Sequence, residues 1–165
     1  MADKTLETLF HETLKDVYYA EKKLTTNLRK MARAAQSPDL KAAFEAHEEE
    51  TQTQVERLTQ VFELIGKRPR AKTCDAIEGI ISEAQEIMEE FKGSPAHDAG
   101  LLAAAQAVEH YEIVRYGTLK AWATQLGLDE AVTLLDATLQ EETAADEKLS
   151  ALAESVVNAA AEKAA

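Results

Sequence analysis

A chain of 165 residues, 45% hydrophobic and 29% charged, has the length of one domain with a sizeable core and long solvated faces. Thirty acidic against 18 basic residues leave a net charge of −12, which excludes nucleic acid as a partner and suits metal cations. A single cysteine, Cys74, excludes an intrachain disulfide or a cysteine-built metal site, and no apolar run is long enough for a membrane span or signal segment, so the expected location is cytoplasmic.

The first apolar stripe runs Leu6, Phe10, Thr13, Val17, Glu21, Leu24, Leu28, Met31, in steps of three and four that predict a helix. Ser37-Pro38 predicts a fresh start, with serine as N-cap and proline at the first helical position. A second stripe follows at Leu40, Phe44, His47, Thr51, Val55, Leu58, Phe62 and Ile65, ended by Gly66. Residues 67–74, KRPRAKTC, read as a solvated loop. Asp75 with Glu78 reads as a capping box opening a shorter helix through Ile77, Ile80, Ile81, Ala84, Ile87, Met88 and Phe91. Gly93-Ser94-Pro95 breaks the chain again. The third long stripe is Ala105, Glu109, Glu112, Tyr116, Leu119, Ala123, Leu126, closed by Gly127. The fourth is Val132, Leu135, Leu139, Glu142, Asp146, Leu149, Leu152, Val156, and the alanine-rich tail after Asn158 is expected to fray.

Short turns near 36 and 127 pair the long helices into two hairpins, and about thirty residues between the hairpins can cross the length of a bundle. The predicted fold is therefore all-α: a ferritin-like antiparallel four-helix bundle with a short crossover helix between helices two and three, in one domain over residues 1–165.

Each long stripe carries an acidic or histidine exception. Glu21 lies about 15 residues before the first turn and Glu50 about 14 after it; Glu112 and Glu142 lie about 15 on either side of the second. At roughly 1.5 Å per residue all four stand at about one height. One Glu on a helical stripe is more often a boundary residue, and a lone histidine more often a satisfied core group. Four helices making the exception together is different, because buried carboxylates cost several kcal/mol each and repel one another. None of the four stripes offers Lys or Arg, so metal cations are the natural partner. The candidate oxygen ligands are Glu21, Glu50, Glu109, Glu112, Glu142 and Asp146, with His47 as the nitrogen ligand. Hard oxygen donors with one imidazole suit two iron or manganese ions, iron favoured, over structural zinc.

The stretches 16-DVYYAEKKL-24, 47-HEEETQTQVERL-58, 74-CDAIEG-79, 103-AAAQAVEHYEIVRYGTL-119 and 139-LQEETAADEKL-149 resemble the YciE/YciF-type branch of the ferritin-like superfamily along nearly the whole chain. The resemblance implies a rubrerythrin-like dinuclear site, a homodimer, and a role in bacterial stress responses. Helix three has Glu109-x-x-Glu112, as rubrerythrins do. The superfamily's Glu-x-x-His is reversed on helix two, as His47-x-x-Glu50, and Ala145 stands where helix four would carry a histidine. The expected function is stress-related oxidoreduction of oxygen or peroxide. The alternatives are a metal-free or vestigial bundle acting as a dimeric interaction protein, or iron storage in a cage.

Other residues receive blander readings. Tyr116 is expected to pack in the core rather than donate to a carboxylate, and Gln54 to hydrogen-bond behind the ligands. Tyr18, Tyr19 and Tyr111, off the stripes, are candidates for an intermolecular face. His11 and His97 are expected in solvent, His110 is set off the ligand face, and Cys74 is a small buried or loop residue.

Overall fold

The computed structural model describes residues 4–162. The chain folds as α1 (Leu6–Ala34), α2 (Pro38–Leu64), α3 (Asp75–Glu90), α4 (His97–Gln125) and α5 (Asp129–Leu152), then a π-helical turn (Ala153–Val157) and α6 (Asn158–Glu162). Among the described residues there is no strand, and no helix is long and apolar enough to cross a membrane. α1 and α2 form one hairpin and α4 and α5 another, while α3 lies against α4 and, more lightly, α1.

Local chemistry sets most of the boundaries. Thr5 caps α1 by accepting from the Thr8 amide at 3.2 Å, and Ser37 caps α2 by accepting from Leu40 at 3.4 Å, with Pro38 in the first turn. Gly66 at φ 66° lets Lys67 donate back to the Phe62 carbonyl at 2.9 Å, closing α2 in a conformation that a side chain would strain. The capping box expected at α3 does not form. Asp75 stands inside the helix behind Cys74, the N-cap, which makes no side-chain cap bond, and Glu78 turns to the Tyr19 hydroxyl and to Lys23 Nζ at 3.1 Å.

Those contacts, with Cys74 Sγ 3.2 Å from the Tyr111 hydroxyl, hold the crossover helix on the bundle. Tyr19 and Tyr111 therefore act within the chain, and Tyr18 packs edge-on against Phe62 at 5.5 Å. The basic loop is tied down too: Lys72 donates through its amide to the Lys15 carbonyl and sets its ammonium 3.4 Å from Glu12.

Asp98 pins one end of the bundle. It accepts from the Gln36 amide at 2.9 Å and the Ser37 amide at 2.6 Å, joining the α1–α2 turn to the start of α4. His97 is buried beside it, its Nδ1 3.3 Å from Asp98 Oδ1, and not in solvent as its sequence context suggests. Bonds to a charged acceptor contribute about 1.5–3 kcal/mol each, so Asp98→Ala is expected to cost at least about 2 kcal/mol, with Asp98→Asn retaining part of it. Urea unfolding measures this; a cost for Asp98→Ala below about 0.5 kcal/mol would show that the pin contributes nothing.

The chain remains helical through Glu162 rather than fraying after Asn158. The π turn inserts an extra residue into the helical repeat, so Val157 is 3% exposed and joins the core while Val156, the position on the predicted stripe, is 39% exposed. The buried apolar side chains form two clusters. One gathers Leu24, Leu28, Leu40, Phe44, Ile77 and Leu101; the other gathers Phe10, Leu14, Leu58, Phe62, Tyr116 and Leu119. Between them lies a layer of buried charge-bearing groups.

Candidate metal centre

Glu21 on α1, His47 on α2, Glu109 and Glu112 on α4 and Glu142 on α5 make that layer. The four glutamates are 0–1% exposed and His47 is 6% exposed. Steps of three on α4 put Glu109 and Glu112 on one face, aimed inward between Ala105 and Tyr116. His47 Nε2 stands 3.2 Å from Glu109 Oε1 and 3.5 Å from Glu142 Oε2. One donor atom from each of His47, Glu109, Glu112 and Glu142 falls within 4.8 Å of all the others. Glu21 borders this group through Glu112 and accepts a hydrogen bond from the Tyr116 hydroxyl. Tyr116 therefore combines its core position with a donated bond, against the expectation of packing alone.

Five carboxylate oxygens in the layer are buried with no hydrogen-bond donor: Glu21 Oε2, Glu109 Oε2, both oxygens of Glu112, and Glu142 Oε2. Orphaned buried oxygens are costly in a native interior, and their convergence from three helices, beside His47 on a fourth, fits a cation. The donor set is hard oxygen with one imidazole, a set that could hold a metal ion.

Without a cation the layer resolves its repulsion by holding protons. Burial first, and then the neighbouring charges of Glu21, Glu142 and Glu109, push the Glu112 carboxyl well above its usual range. Burial likewise raises Glu142 far above the ordinary value, against the pull of His47. Glu21 is raised by burial to about 7, its bond from Tyr116 opposing the shift. Burial alone would lower His47, yet Glu109, Glu50 and Glu142 outweigh it and hold the imidazole well above 6.5.

A second ring orients Glu142. Gln54, fully buried, donates to Glu142 Oε1 and to Glu141 Oε2, the latter at 3.1 Å. Arg57 grips Glu141 with both guanidinium nitrogens, at 2.6 and 2.7 Å. The role expected of Gln54 holds. Arg57 and Glu141 were missed because both stand beside the apolar stripes and meet only when α2 and α5 pack.

Two predicted ligands lie outside the cluster. Glu50 has a half-exposed side chain and places Oε2 3.3 Å from His47 Nδ1, behind the ring. Asp146 turns to Gln106 Nε2 and His110 Nε2, both at 3.2 Å. Three residues after His47 and four after Glu142, they are rotated by about 60° and 40° from those positions, enough to move a side chain from the interior to its margin. The height argument was sound for α1, α4 and α5, but on α2 the inward group is His47, one turn nearer the hairpin end.

A family model described as Domain of unknown function (DUF892) matches residues 5–162. Protein YciF of Escherichia coli (strain K12) is 49% identical over 160 residues, 96% of this chain and 96% of that one. The crystal structure of the E. coli stress protein YciF superposes with a TM-score of 0.90 at 48% identity, over 94% of this chain and 99% of that chain. YcfI from Rhodopseudomonas palustris gives 0.87 at 48% identity, over 89% and 94%. A protein from Xanthomonas campestris pv. campestris gives 0.72 at 27% identity, over 96% and 98%.

Proposed function

The chain belongs to the DUF892 family, and from that premise we propose that it is a ferritin-like dimetal carboxylate protein acting in stress-related oxidoreduction of oxygen or peroxide. The observation that carries this reading is the set of five carboxylate oxygens without donors, converging from three helices beside His47 on a fourth. His47, Glu109, Glu112 and Glu142 would hold one iron or manganese ion, and Glu21 would share the second with the neighbouring glutamates. Bound metal would supply redox chemistry toward oxygen or peroxide. The chain's own residues do the rest: Gln54 donates to Glu142, Tyr116 donates to Glu21, and the apolar clusters shield the layer from the two ends of the bundle. The description of the E. coli relative as a stress protein supports the physiological setting. A cytoplasmic homodimer, each chain one domain, completes the proposal.

Elemental analysis and metal titration of chelator-treated protein test it. About two ions per chain and a raised melting temperature with Fe(II) or Mn(II) are expected, since a ligand bound only by the native state stabilises it. Stoichiometry below about 0.2 with no thermal shift would end the metal reading. That result would favour the second one, a metal-free bundle working through association, to which the description suggesting a structural protein for the R. palustris relative lends support.

A further inference from the structure

A cavity of about 320 Å³ opens between α2 and α5 and reaches the buried layer from one side. Its buried polar lining is His47 and Glu109; Glu109 pairs with His47 Nε2 through Oε1 and leaves its buried Oε2 without a donor. Phe44 and Leu149, both buried, are apolar parts of the lining, and Ala46 and Ala144 are exposed parts of it. The exposed charged residues that line it are one negative group, Glu50, and one positive group, Lys148, while Glu141 is paired with Arg57.

The volume is informative. Water occupies about 30 Å³ in the liquid, so the space holds on the order of ten waters, far more than dioxygen or hydrogen peroxide needs. The space is a groove partly open to solvent, across which the helices face one another with Ala43, Ala46, Ala144 and Ala145. The size matches the small end of ligand pockets, and the balanced rim selects against strongly charged molecules.

We propose that this cavity binds a small, neutral organic molecule with an apolar body, its single nitrogen or oxygen head directed toward His47 and Glu109. The part of the proposal that brings the head against a bound ion rests on the metal reading above. The apolar fit does not. Binding here would make the centre selective by the shape of the body attached to the reacting head, so that small inorganic oxidants would use only a fraction of the space.

The test compares imidazole with 4-phenylimidazole by amide NMR, on metal-free protein and on protein given Zn(II) as a diamagnetic stand-in. 4-Phenylimidazole is expected to shift amides within 43–50 and 140–149, and to bind about tenfold more tightly than imidazole because its ring buries apolar surface. Ala145→Leu, which fills the cavity, and Ala46→Trp, which covers its exposed mouth, should each weaken 4-phenylimidazole about tenfold while leaving Zn(II) stoichiometry unchanged. Absence of 4-phenylimidazole binding, shifts centred elsewhere, or wild-type binding by both variants would overturn the proposal. Probe binding in protein that takes up no metal would support the cavity and end the metal reading. Full metal uptake without probe binding would do the reverse.

Discussion

Glu112→Gln is expected to make the metal-free protein more stable at pH 8 and to weaken its metal binding by at least about tenfold. Both oxygens of Glu112 are buried with no donor, and burial first, then three other carboxylates, raise its carboxyl well above the ordinary range. An amide of the same shape stays neutral at every pH and brings donors to the acceptor-rich layer, so above neutral pH the variant's Tm should lie above that of the wild type. The same change deletes a ligand, so addition of Fe(II) or Mn(II) should raise the variant's Tm far less than that of the wild type. Calorimetry with and without chelator reads both effects. If Glu112→Gln destabilises the metal-free form by more than about 1 kcal/mol, Glu112 is hydrogen-bonded structure and not a ligand.

A stability profile that improves toward acid is the second large effect. Glu21 is raised from 4.5 to about 7 in the fold, so its contribution is complete below 4.5 and is lost as pH rises through 7. That shift alone corresponds to on the order of 3 kcal/mol. Glu112 and Glu142, also raised, act in the same direction, and His47 adds stability that is present below 6.5 and lost above its raised folded value. Glu141, lowered overall by Arg57 against the effect of its own burial, works oppositely and loses its contribution as pH falls through its folded value. Metal-free protein should therefore be most stable near pH 4–5, and progressively weaker from there to pH 9. Metal-loaded protein should show the reverse slope over the same range, because protons compete with the ions for the carboxylates. Urea midpoints at five or six pH values measure both curves. A metal-free curve that is flat or rises between pH 6 and 9 would mean that the layer is not the electrostatic burden it is argued to be.

The four long stripes and their breaks were legible in the sequence because periodicity and punctuation are local properties. Ser37-Pro38, Gly66 and Gly127 act where they stand, whatever packs nearby. So was the layer itself, since Glu21, Glu109, Glu112 and Glu142 replace apolar residues on faces that must turn inward. What the stripes did not resolve was decided by neighbours in space. Between His47 and Glu50 the difference is about 60° of rotation, and the position of α5 relative to α2 settles which one points inward. The Asp75–Glu78 pattern is a sound capping signal, yet Cys74 is the N-cap and Glu78 turns to Tyr19 and Lys23, residues more than fifty positions away. Val157 displaced Val156 because one extra residue in the π turn rotates everything after it, and a rule of threes and fours carries no sign of that.

The separation of the interior into two apolar clusters by a layer of acids bears on cooperativity. α1, α2, α4 and α5 all cross the layer, so backbone hydrogen bonding is continuous there while side-chain packing is interrupted. With the layer uncompensated, the half holding Leu28, Phe44 and Leu101 can open without dragging along the half holding Phe10, Phe62 and Leu119, and amide exchange should resolve two protected blocks with separate opening free energies. A cation gripping side chains from α2, α4 and α5 at the boundary would fuse the blocks, so that exchange in both slows to one common rate. Two blocks that stay distinct after metal uptake, or one common rate before it, would contradict this. The acids would then serve the molecule as a mechanical clutch, coupling or releasing its two ends according to what they hold.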